Sequence, residues 1–189
     1  MEQNSEYIRL AADLQSDSIV DGPGLRAVLW TQGCSHHCKD CQNPQTWDFD
    51  GGGLIPLSAV YAAIDELEGQ TGLTFSGGDP MFQVEACNKI AEYAIKKGLN
   101  IWCYTGFTYE QIIEMSKTKP VYKKFLEKID VLVDGKFILE KRDLNLLFRG
   151  SSNQRLIDVK ETLKTGNITL LNEHIYNEEE KFKKIPMFI

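Results

Sequence analysis

Three cysteines stand within eight residues, Cys34-Ser35-His36-His37-Cys38-Lys39-Asp40-Cys41, directly after an apolar run. This C-x3-C-x2-C spacing constrains the fold more than any other feature, because one short loop must present three thiols together at the end of a buried segment. Three thiolates on one loop can hold three corners of a cubane iron–sulfur cluster and leave the fourth iron without a protein ligand. Structural zinc sites usually close with four ligands in two pairs, and the later chain supplies no second C-x2-C or C-x-H pair. A Cys3His zinc knuckle using His36 or His37 stays open, although ring and backbone compete for space inside so short a loop. Disulfides leave an odd thiol, and no apolar signal segment marks the chain for export, so a reducing cytoplasm is the expected compartment.

Further motifs lie on either side. Upstream is Val20-Asp21-Gly22-Pro23-Gly24-Leu25-Arg26, followed by Ala27-Val28-Leu29-Trp30-Thr31-Gln32-Gly33; downstream come Thr74-Phe75-Ser76-Gly77-Gly78-Asp79-Pro80 and Asp134-Gly135-Lys136. A length of 189 residues suits one domain with a sizeable core. A net charge of −6 argues against nonspecific nucleic-acid binding, and no apolar stretch approaches a membrane span. One domain over 1–189 is expected, with an accessory C-terminal tail from about 165.

Short apolar runs alternate with amphipathic segments, which predicts βα units around a largely parallel sheet. Arg26 to Thr31, Leu73 to Phe75, Asn100 to Tyr104 and Ile129 to Asp134 read as buried strands, rich in β-branched and aromatic residues without alternation. Leu57, Val60, Tyr61, Ile64 and Leu67 fall at helical spacing. Val84, Cys87, Ile90, Ala91, Ala94 and Ile95 do the same on a second helix, which Gly98 can end as a left-handed cap residue. Tyr109 to Ser116 and Val121 to Lys128 predict two more helices. A complete eight-unit barrel needs about 250 residues, more than this chain has.

In parallel α/β sheets reactive groups gather at the carboxyl ends of strands, where loops vary freely on a fixed scaffold. Each motif follows a predicted strand: Cys34 to Cys41 the first, Ser76 to Pro80 the second, Tyr104-Thr105-Gly106 the third, and Asp134-Gly135-Lys136 the fourth. Four polar loops are thus expected at one mouth. Cys87 and Cys103 fall on apolar faces and read as buried small hydrophobes. His36 and His37 can tune a cluster by hydrogen bonds or face solvent; the solvent reading is favoured.

These motifs, in this order, resemble the radical S-adenosylmethionine superfamily, and within it the activating enzymes of glycyl radical enzymes. More narrowly, Phe148-Arg149-Gly150-Ser151-Ser152-Asn153-Gln154-Arg155 and the short length resemble the activating proteins of anaerobic ribonucleoside-triphosphate reductase. The resemblance covers about Val20 to Asp158 and implies an open partial (β/α) barrel, an oxidoreductase activity and two cofactors, a 4Fe-4S cluster and S-adenosyl-L-methionine. It implies Cys34, Cys38 and Cys41 as cluster ligands. Reductive cleavage of S-adenosylmethionine then gives methionine and a 5′-deoxyadenosyl radical, which abstracts a Cα hydrogen from a glycine of the partner, the catalytic subunit of the reductase. A flavodoxin or ferredoxin electron donor is implied as well.

The same resemblance implies cosubstrate contacts at Gly77 and Gly78, whose backbones permit close approach, at Asp79, where the superfamily often has Glu, and at Thr105 beside Gly106. Asp134 and Lys136 are similar to a D-x-K element that contacts the cosubstrate; the alternative is a solvated charge pair at a strand end. Many superfamily members carry an aromatic before the last cysteine where this chain has Asp40. Asp40 and Gln42 therefore enter as cosubstrate residues by position alone, with Asn43 beside them. Arg149, Asn153, Gln154 and Arg155 form a polar group that fits either the cosubstrate or an incoming partner loop. Three rival functions remain at this point: activation of another glycyl radical enzyme, of the formate-lyase type; a radical enzyme acting on a small molecule, which needs a more closed pocket than this length readily provides; and a non-catalytic zinc- or cluster-binding module.

Overall fold

A computed structural model describes residues 6–171. The expected parallel strands are β3 (Arg26–Thr31), β5 (Gly72–Gly77), β6 (Asn100–Tyr104) and β7 (Val131–Asp134). They pair in parallel in the order β3-β5-β6-β7, with Leu29 opposite Phe75 and Phe75 opposite Cys103. Antiparallel strands extend both flanks. On one side β1 (Tyr7–Leu10) pairs with β3 and then with β4 (Gly53–Pro56), while β2 (Gln15–Ser18) also pairs with β3. On the other side β8 (Arg155–Asp158) runs antiparallel to β7. Among the described residues the sheet is open, its strand order running from β4 to β8 with β2 off that path, in agreement with a partial barrel.

The connections between strands carry α1 (Leu57–Asp65), α2 (Val84–Lys96), α3 (Tyr109–Thr118) and α4 (Val121–Leu126), and α5 (Val159–Thr165) follows β8. Gly98 follows α2 with φ +84, the left-handed position expected of it. Thr108 and Gln111 form a reciprocal capping box at the start of α3. Short α5 was not legible in advance; Asp158 accepts from the Glu161 N–H at its start, and Gly166 at φ +73 ends it.

Strand parity divides the core. Ala27, Leu29, Leu73, Phe75, Ile101, Cys103, Leu132 and Ile157 join the main cluster with Val60, Ile64, Val84, Cys87, Ile90 and Phe125 of the helices. The opposite parity gives a second cluster of Trp102, Val131, Val133 and Leu156, against which Tyr104, Phe148 and Leu171 pack. Both faces of the central strands are therefore covered, and for that reason their sequences do not alternate. Cys87 and Cys103 are fully buried in the main cluster, as expected.

Fully buried Arg26 stitches the amino ends of the central strands together. Its Nε donates to Thr74 Oγ1 at 2.7 Å, Nη1 to Asn100 Oδ1 at 2.7 Å and Nη2 to the Leu73 carbonyl at 3.1 Å, with the guanidinium over the Trp102 ring. The D-G-P-G-x-R turn thus organises the end of the sheet opposite the cysteines. Beyond α5, the Leu171 N–H donates to the Leu156 carbonyl and Leu170 bridges Ile157, so the segment past 165 begins as part of the sheet. The charged stretch Glu173 to Lys184 lies outside the described residues.

Candidate functional site

The cysteine loop leaves β3 through Gly33, whose φ of +98 turns the chain sharply over the sheet. The base of the loop is held by its own return: Gly33 N–H donates to the Thr46 carbonyl at 2.8 Å and Cys34 N–H to the Trp47 carbonyl at 3.1 Å. Inside it, His37 and Asp40 adopt φ of +47 and +55, and Cys41 N–H donates to the Cys38 carbonyl at 3.1 Å. The three thiols line one cavity of about 110 Å3. Gly77 and Gly78 from the end of β5, Thr105 and Gly106 from the end of β6, and Lys136 from the end of β7 line it too. The four loops expected at one mouth therefore do share a cavity.

The glycines are required by close approach. A Cβ on Gly77, at φ +100, lies 2.4 Å from the Thr31 carbonyl oxygen, and one on Gly78 lies 2.5 Å from the Gly33 carbonyl oxygen. Gly78 N–H donates to the Thr31 carbonyl and Asp79 N–H to the Gly33 carbonyl, so the β5 loop is sewn directly beneath the cysteine loop.

Two acids named from the sequence have their oxygens engaged within the scaffold. Asp79 is wholly buried. Its carboxylate accepts from Met81 N–H, Gly106 N–H and Thr105 Oγ1, each at 2.9 Å, and from His36 Nε2 at 2.8 Å. Asp134, 1% exposed, does not line the cysteine cavity. It accepts from Arg155 Nε at 2.9 Å, from Arg155 Nη2 and from the Tyr109 N–H at 2.8 Å. The far side of the Arg155 fork meets Glu110 at 2.8 and 3.0 Å and holds its carboxyl near a pKa of about 2. The D-x-K pair is thus split: its lysine borders the cavity, while its acid closes a buried ion pair with β8.

Asp40 is exposed and lines neither the cysteine cavity nor its neighbour. Gln42 and Asn43 line that neighbouring cleft of about 520 Å3, which shares Cys41, Ser76, Tyr104, Phe137 and Gln154 with the first. Gln154 is a clamp: its Oε1 accepts from the N–H groups of Gly150 and Ser151, and its Nε2 donates to the Gly135 carbonyl. The solvent reading of His36 is corrected, since its side chain is only 8% exposed and bonded to Asp79. His37 is exposed, its ring against Trp47. The ring environment of His36 was missed because residue type carries no sign of which side of a loop faces inward. Trp47 and Phe137 also border the cavity without having been singled out.

Burial pushes the Cys34 thiol up to about 11 and raises Cys38 as well, although the Phe137 N–H and the Lys136 charge oppose the second shift. Such thiols need a cationic metal to become thiolates near neutral pH. Among the described residues, no three His, Cys, Asp or Glu side chains are grouped closely enough to hold a single metal ion. A cubane cluster places each thiolate on a different iron, so three thiols lining one cavity suit it.

An open α/β sheet with three cysteines on one loop at its carboxyl edge is the plan of an iron–sulfur protein of the radical S-adenosylmethionine class. The family described as a 4Fe-4S single cluster domain matches residues 20–157. The anaerobic ribonucleoside-triphosphate reductase-activating protein of Haemophilus influenzae is 34% identical over 144 residues, covering 72% of this chain and 89% of that protein. The proteins of the same description from Escherichia coli K12 and Enterobacteria phage T4 are 33% and 35% identical over 144 residues, with 90% and 86% of their lengths covered. The chain belongs to this family of 4Fe-4S reductase-activating proteins.

Proposed function

We propose that this chain is a radical S-adenosylmethionine activase that generates a glycyl radical on an anaerobic ribonucleoside-triphosphate reductase. The observation that carries the reading is the shared cavity of Cys34, Cys38 and Cys41 with the Gly77-Gly78 and Thr105-Gly106 turns. The relatives' names favour the reductase over a formate-lyase type partner. Bound together, the 4Fe-4S cluster and S-adenosylmethionine supply reductive cleavage to methionine and a 5′-deoxyadenosyl radical, the hydrogen-abstracting agent.

In this reading the three cysteines hold the cluster. The backbone of Gly77 and Gly78, open for want of side chains, accepts from the cosubstrate's ammonium, and Lys136 attracts its carboxylate. Asp79 and Asp134 act one step back, holding the turns that present these groups. Gln42 and Asn43 border the adjoining cleft, where the adenosine end fits. The open sheet leaves the mouth accessible to a polypeptide, and glycine suits the reaction because no side chain obstructs its Cα and both flanking amides stabilise the radical. A flavodoxin or ferredoxin donor and a cytoplasmic location complete the proposal; no helix among the described residues is long and apolar enough to cross a membrane.

Anaerobic reconstitution with iron and sulfide, then dithionite, S-adenosylmethionine and the reductase, is the test. The expected products are 5′-deoxyadenosine and a glycyl doublet in electron paramagnetic resonance, both lost in Cys38→Ala. A colourless protein that binds one zinc, or a Cys38→Ala variant with full activity, refutes the assignment.

A further inference from the structure

The arc between the first two cysteines is tied at its centre. His36, two residues from Cys34 and two from Cys38, turns its ring inward, and Nε2 donates to Asp79 Oδ2 at 2.8 Å. Asp79 is fully buried and is also bonded to Thr105 Oγ1 and to the Gly106 and Met81 N–H groups, so it is a fixed point shared by the ends of β5 and β6. A buried carboxylate with this many donors has little freedom to move.

The ring itself sits close against the Gly106 backbone. A Cβ at Gly106 falls 2.3 Å from His36 Cδ2 and 2.6 Å from Nε2, so glycine there is what admits the imidazole. Phe107 meets the ring edge-on at 4.6 Å, and Phe82 is tilted at 5.8 Å. Hydrogen bond, ring contacts and backbone seat together leave the imidazole one position.

We propose that His36 is a positioning residue: it latches the cysteine loop to the Asp79 hub and so sets where Cys34 and Cys38 stand above the Gly77-Gly78 and Thr105-Gly106 turns. The inference rests on the reading of Cys34, Cys38 and Cys41 as the cluster's ligands. Its consequence is that this N–H, acting with the backbone bonds at the base of the loop, keeps the cluster and the cosubstrate cavity in register, and the register shifts when the N–H is removed.

Three variants test it in the full reconstituted protein. His36→Phe keeps an aromatic ring between Phe82 and Phe107 but has no N–H. His36→Gln restores a donor, and Gly106→Ala keeps the histidine but takes its seat. The readouts are iron release to a chelator, the reduced-cluster resonance with and without S-adenosylmethionine, and thermal melting. Iron release is expected to be about tenfold faster in His36→Phe and Gly106→Ala and within about twofold of wild type in His36→Gln, as befits loss and rescue of one charge-assisted hydrogen bond. The response of the resonance to S-adenosylmethionine changes in the first two variants, while the melting temperature of His36→Phe stays near wild type. Wild-type iron retention and resonance in His36→Phe, or a His36→Gln as impaired as His36→Phe, overturns the latch. A wild-type chain that takes up no cluster overturns the ligand reading, and the latch with it.

Discussion

Removing Arg155 tests how the β7 end is held. Asp134 is 1% exposed, and two of its three donors are arms of the Arg155 guanidinium; in Arg155→Ala it keeps only the Tyr109 N–H of those three. Breaking a buried pair by deleting one partner costs about 3–5 kcal/mol, and because Arg155 is itself 30% exposed the lower end, about 3 kcal/mol, applies. In a domain of this length each kcal/mol moves the melting temperature by about 2–4 °C, so Arg155→Ala is expected to melt about 6–12 °C lower. Glu110, 58% exposed, adds little to that sum. The double variant Asp134→Asn/Arg155→Ala no longer buries an orphan charge and is expected to recover about 1–2 kcal/mol. Melting followed by circular dichroism at one fixed cluster occupancy is the assay. A single variant within about 2 °C of wild type, or a double variant as unstable as the single, refutes the view that Asp134 is a buried brace.

Two further perturbations separate other causes. Gly77→Ala places a Cβ against the Thr31 backbone at φ +100 and is expected to cost about 3 kcal/mol or more, whereas Gly98→Ala, at φ +84 with open space around it, costs about 1 kcal/mol; denaturant titration of the pair distinguishes packing from backbone strain alone. Arg155 depresses the Glu110 carboxyl to about 2, so this pair's stabilisation is fully present above the ordinary carboxylate range and is lost as pH falls toward about 2. Glu110→Gln should therefore be less stable than wild type by about 0.5 kcal/mol near neutrality, and the difference should vanish in strong acid. A difference that grows on acidification would falsify the sign.

Much of this architecture was written locally. Arg26 to Thr31 and Asn100 to Tyr104 were legible as strands to the residue, because both faces of a central strand are covered and nearly every position is apolar and at least partly buried or, like Arg26 and Asn100, bonded to a neighbouring strand. Gln15 to Ser18 was not legible, since three of its four residues are exposed and polar, and only pairing with β3 makes it a strand. Nor was β4, where Gly53 and Pro56 bracket two apolar residues. Local pattern reports burial, and flanking strands with one open side have little of it to report.

The site divides in the same way. Residue types and spacing alone determined that three thiols share one loop, that this loop and the Gly77-Gly78 turn follow strands, and that a cluster chemistry is within reach. Tertiary structure decided what each polar side chain does there. Asp79 and Asp134 carry the same signal in sequence, an acid at the end of a buried strand. The fold turns one into a hub for His36, Thr105 and Gly106, and pairs the other with Arg155, 21 residues further along the chain. Composition tells that a carboxylate can be charged, but the groups that satisfy its oxygens come from other strands, and only the folded sheet brings them within hydrogen-bonding distance.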